Sequence, residues 1–114
     1  MKLITSELAR ELPSIGSVLD HSEEELIARA IFVSPVGPAK WLVFAYDPET
    51  EVAFCYADLF GEGRQGGAEL GDVYIPELES VVLMPFGIPA VIRLEGFPPM
   101  PFLECIDSDG RIIA

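Results

Sequence analysis

The sequence predicts an α+β fold: an antiparallel sheet of about five strands with an N-terminal helix and a short second helix. Three observations lead there. Short apolar runs rich in β-branched and aromatic residues are bounded by Pro, Gly and Asp turns. Two brief segments carry helix-start signals. Half of the 114 residues are hydrophobic, enough for one core, so residues 1–114 read as a single compact domain. Folding a chain of this size removes roughly 65% of its extended surface from water, and neither a disulfide nor a metal is required for stability.

The helix signal comes first. In "TSELARELP", Thr5 or Ser6 can cap, Leu8 and Leu12 fall on one face, and Pro13 stops the run. "HSEEELIARAIFVSP" opens like a capping box with Ser22 and Glu25 but turns β-branched and aromatic. It therefore predicts a strand over Leu26–Val33, with Leu26, Ala28, Ala30 and Phe32 on one face and Arg29 on the other. "KWLVFAYD" supplies a strand in which Leu42, Phe44 and Tyr46 alternate with Trp41, Val43 and Ala45. The turn "DPET" joins it to "EVAFCYA" as a hairpin whose inward face is Val52, Phe54 and Tyr56.

"LFGEGRQGGAE" has four glycines and no apolar period, which predicts a mobile loop. It lacks the Lys-Ser/Thr ending of a phosphate loop and the following helix of a dinucleotide fingerprint. "ELGDVYIPELESV" then reads as a strand over Leu70–Ile75 turning a corner at Pro76 into a helix over Pro76–Val81. Ala90–Leu94 is the last predicted strand. The apolar segment after it must lie against the body.

The formal net charge is -12. With so high an apolar fraction, this excludes a disordered acidic tail and puts the charge on a folded surface. Nucleic acid and anionic membranes are repelled by such a surface. "MKLITSELARELP" has no secretory apolar core, and "SVVLMPFGIPAVI" is shorter than the ~20 residues of a membrane span. The expectation is a soluble, cytoplasmic protein with no membrane partner. Cys55 and Cys105 have no zinc or redox spacing and read as reduced, buried thiols.

No catalytic residue, metal ligand or cofactor is assigned. His21, the lone histidine, lies among acids in a surface-like segment. "DSDG" at Asp107–Gly110 starts like a calcium loop without the later acidic ligand, so a hairpin turn fits better. Glu77 and Glu79 lie about 200° apart around a helix and do not form a carboxylate pair. Distant acids such as Asp47, Glu69 and Glu79 leave open a carboxylate-based hydrolase or ligand-binding enzyme. Arg93, in an apolar strand, needs a partner such as Glu79 or Glu95. Six acids, Asp58, Glu62, Glu69, Asp72, Glu77 and Glu79, face one base, Arg64, over the middle of the chain. Such an acidic face could stand in for DNA phosphates in a basic cleft, or serve only solubility.

The order of "MKLITSELARELP", "WLVFAYD", "ELGDVYIPELESV" and "FGIPAVIR" closely resembles the family called domain of unknown function 2958. The resemblance covers nearly the whole chain. It rests most on Glu69, Leu70 and Gly71, on Glu77, Leu78 and Glu79, and on Gly87 and Pro89. After Pro89 the chain departs from the family's Glu-Arg-Asp pattern with Ile92, Arg93 and Leu94. The resemblance implies a bacterial or phage setting, often on mobile elements, and no defined activity. The functional expectation is a non-enzymatic acidic binding protein that contacts a basic, DNA-binding protein partner, inhibiting it by charge mimicry. A homo-oligomeric structural accessory is the other alternative, and the Pro-rich strip Phe97–Phe102 suggests a homodimer.

Overall fold

The structure, a computed structural model, describes residues 2–114. Its centre is a five-stranded antiparallel sheet made of β2 (Ala30–Val33), β3 (Lys40–Asp47), β4 (Val52–Asp58), β5 (Glu69–Tyr74) and β8 (Ile92–Leu94), in the order β5-β4-β3-β2-β8. Two small antiparallel pairs flank it: β1 (Ile27–Ala28) with β9 (Met100–Pro101), and β6 (Val82–Leu83) with β7 (Ile88–Pro89). The helices are α1 (Ser6–Glu11) and α2 (Ile75–Ser80). This is the predicted α+β architecture, with both helices where the capping and proline signals put them.

The Thr5 hydroxyl accepts the Leu8 N–H at 3.2 Å, satisfying one orphan donor of α1. Leu8 and Leu12 then reach the core together with Leu3 and Ile4. The Ser22–Glu25 box also forms, since Glu25 Oε1 accepts both the backbone N–H and the hydroxyl of Ser22 at 3.0 Å. Those bonds, the backbone one foremost, hold the Glu25 carboxyl below its ordinary pKa. It closes an isolated turn, because the apolar positions that follow repeat with a strand's period.

Both faces of the sheet are buried, which single-face alternation did not anticipate. One face, under α1 and α2, is built from Phe32, Trp41, Val43, Tyr46, Ala53 and Cys55. On the other, Leu42, Phe44 and Tyr56 pack under Val18, Leu26 and the C-terminal residues Phe102, Cys105 and Ile112. The apolar segment beyond β8 thus lies on the body as its composition required. Phe102 is the centre of that layer, with its ring 5.2 Å from Phe44 and 4.9 Å from Tyr56.

Two irregularities change the faces expected from the sequence. The strand predicted over Leu26–Val33 is interrupted at Arg29, so Leu26 and Ala28 join one core while Ala30 and Phe32 join the other. On β3 the register slips between Val43 and Ala45. The bulge leaves Phe44 as the extra residue, and Tyr46 therefore sides with Trp41 and Val43 rather than with Leu42 and Phe44. Because both sheet faces are covered, Val52, Phe54 and Tyr56 are not the single inward face of the hairpin: Ala53 and Cys55 on the opposite face are buried as well.

The glycine-rich loop is ordered by contact. Residues Gly63–Gly66 form a 3-10 turn with Gly63 buried, and the Arg64 N–H donates to the Asp109 carbonyl at 2.9 Å. The "DSDG" segment is the turn that receives it. Asp107 Oδ1 accepts the N–H groups of Asp109 and Arg111, each at 2.9 Å, and Ile106 bridges to Ile112. Gly110 lends its carbonyl to the buried Tyr56 hydroxyl at 2.7 Å.

Candidate functional site

Strand β5 is a sheet edge, and the chain turns directly from it into α2. Between the two lies a groove of about 300 Å³ lined by Asp72, Val73, Tyr74, Glu77, Leu78 and Val81. Val73 and Leu78 belong to the margin of the core. Tyr74 and Val81 are exposed, as are Asp72 and Glu77. Beyond Val81 the β6–β7 hairpin continues the apolar surface with Val82, Met84, Phe86 and Ile88. Met84 and Phe86 at its tip are 79% and 83% exposed. The tip cannot fold back as a longer strand, because Pro85 lacks an N–H for a ladder and Gly87 adopts φ +67°.

The six acids predicted as one face separate into three groups. Glu62, Glu69, Asp72 and Glu77 are exposed. Asp58 is only 2% exposed, with Oδ2 accepting the Gly63 N–H at 3.2 Å and Oδ1 buried without a partner. It holds the glycine-rich turn rather than facing solvent. Glu79 is half-buried and accepts the Leu3 N–H at 2.7 Å, tying the N-terminal segment to α2. Strand pleating separates the rest further: Asp72 is paired with Phe54 and Glu69 with Ala57, on opposite faces of β5. The groove therefore gathers Asp72 and Glu77, not a continuous acidic row.

Arg93 lies opposite Phe32 on the β2–β8 ladder. Its nearest carboxylate is Glu95 at 4.0 Å, and its Nε is buried without a partner. Glu79, the alternative partner, is engaged with Leu3. Among the described residues no group of three or more His, Cys, Asp or Glu side chains could hold a metal, and no helix is long and apolar enough to cross a membrane.

Cys55 and Cys105 are free and buried. Burial, with a smaller contribution from Asp72, raises the Cys55 thiol pKa, and burial followed by Glu104 raises that of Cys105. Because the thiolate is the reactive form, both thiols are expected to resist a colorimetric disulfide reagent in the native protein at mildly alkaline pH. Both should react within mixing time in denaturant. Fast titration of either thiol without denaturant would contradict the burial.

The family described as "Protein of unknown function (DUF2958)" matches residues 3–104. The chain belongs to this family. Neither a curated protein nor a solved structure matches it. The DUF2958 span holds the groove and the hairpin, and it stops before the Asp107–Arg111 turn. Within it, Glu69, Leu70 and Gly71 open β5, Glu77, Leu78 and Glu79 lie on α2, and Gly87 and Pro89 shape the hairpin. Sequence reading missed the exposed hairpin. The signal was present in "SVVLMPFGIPAVI": an apolar run broken by two prolines and a glycine is too interrupted to be an internal strand.

Proposed function

We propose that this protein is a non-enzymatic binding protein of bacterial, phage or mobile-element setting that acts on a basic protein partner. The partner presents a segment carrying Lys or Arg beside apolar side chains, and docks along the β5–α2 groove onto the β6–β7 hairpin. A DNA-binding protein held this way would be inhibited, its basic surface occupied by carboxylates instead of phosphates. The observation that carries the reading is the apolar strip of Tyr74, Val81, Met84 and Phe86 beside the exposed acids Asp72 and Glu77. Apolar surface supplies affinity, while the acids select a partner of opposite charge and speed its approach. The unpaired backbone of edge strand β5 offers further hydrogen bonds to an extended segment.

The test compares capture by immobilised protein at low and high salt for the unaltered chain, the double variant D72K/E77K, the variant F86S, and E104K as a control on the other sheet face. The groove variants should each lower capture of the same salt-sensitive partner about ten-fold and change stability by no more than about 0.5 kcal/mol. E104K should capture it as the unaltered chain does. Equal capture by all four would overturn the reading. Light scattering showing a dimer that F86S dissolves would replace the basic partner with a second copy of the chain.

A further inference from the structure

The two strand irregularities lie side by side. Arg29 occupies the gap between β1 and β2, and its N–H donates to the Val43 carbonyl at 2.8 Å. Phe44, the next residue on β3, is the bulge residue. Both side chains line a cavity of about 140 Å³, to which residues 13–21 contribute Ser17, Val18 and His21. Paired departures from regular strand geometry are a common way to aim side chains at a site.

Arg29 is the unusual group there. It is half-buried, and its Nε is sealed from solvent without a hydrogen-bond partner. Among the described residues it makes no ion pair, although Arg64, Arg93 and Arg111 each have a carboxylate within 4.0 Å. In a chain with nineteen acids, an arginine fork left without an anion invites one from outside. Glu25 also borders the cavity; its Oε1 accepts the N–H and hydroxyl of Ser22, and the carboxylate makes no ion pair with Arg29 within 4.0 Å.

We infer that this cavity binds a small carboxylate with an apolar body of ring size, the carboxylate on Arg29 and the body against Phe44 and Val18. An apolar cavity of ~150 Å³ accommodates benzene, so the available volume suits a single ring or a branched chain. The Ser17 hydroxyl donates to the Ser14 carbonyl at 2.8 Å and keeps lone pairs for a water at the mouth. The site shares no residue with the β5–α2 groove and does not depend on the function proposed for it.

Benzoate is the probe, followed by amide chemical shifts in the nitrogen-15-labelled full chain. Saturable shifts centred on Arg29, Phe44 and Ser17 are expected. Benzamide, which has the same shape without the charge, should bind about ten-fold more weakly, as should inorganic phosphate, which lacks the ring. R29M should abolish the benzoate response. If that variant does not fold, the comparison of the three probes on the unaltered chain decides alone. No saturable benzoate response, or benzamide equal to benzoate, would overturn the carboxylate site. Phosphate equal to benzoate would overturn the apolar half of the assignment.

Discussion

Phe102→Ala is expected to lower the free energy of unfolding by about 3–5 kcal/mol. The side chain is fully buried and in edge contact with Phe44, so truncation removes apolar burial and an aromatic pair together. Rigid β3 and β4 lie beneath it, and the chain above is held by the Phe102 N–H donating to the Leu26 carbonyl at 2.9 Å. Neither side can collapse into the space, and an uncollapsed cavity is the costly case. Urea unfolding followed by far-ultraviolet circular dichroism gives the number. A loss below about 1 kcal/mol would mean that the C-terminal layer is not part of the cooperative core.

Gly63→Ala is expected to cost about 2–4 kcal/mol, combining a left-handed backbone penalty with overpacking. Gly63 has φ +69°, and a Cβ there would overlap the carbonyl oxygen of Asp109. That carbonyl is the acceptor for the Arg64 N–H, and Asp58 holds Gly63 from the other side. Relief would therefore require the two loops to separate. Gly67→Ala provides the comparison, because Gly67 has φ +95° with open space around the added carbon. It should cost only the backbone penalty, about 1–2 kcal/mol. Equal losses at the two positions would show that the contact between the loops contributes nothing.

The parts of this fold that were legible in the sequence are those written in local chemistry. Thr5 and Pro13 bounded α1, "DPET" specified the β3–β4 hairpin, and Pro76 marked the start of α2. What the sequence concealed depends on distant partners. Nothing near Phe44 announces a bulge, since one extra residue changes no composition. Asp58 resembles any strand-end acid until Gly63 returns to donate to it. The glycine-rich loop looked mobile because its order is supplied by residues 107–111, more than forty positions away. The acidic face dispersed for a similar reason: residues 69 and 72 are close in sequence, yet an odd spacing sends them to opposite sides of a pleated strand.

The placement of Phe102, Cys105 and Ile112 over the second face also bears on how the chain is made. Synthesis delivers residues in order, and β1 finds its neighbour only when Met100 and Pro101 appear. The start of the chain waits similarly, since the Leu3 N–H has its acceptor on Glu79. With the second face closed only by late-arriving segments, most of the sheet is born with that side bare. Short-range pairing such as β3 with β4 can form early, but docking must wait for closure over long loops. Protease resistance of ribosome-bound chains should accordingly rise in one late step, seen when a C-terminal linker long enough to bring Ile112 out of the exit tunnel is added and not when the chain is stalled with Phe102 still inside it. Until then Leu42, Phe44 and Tyr56 are open to any chaperone that binds apolar surface.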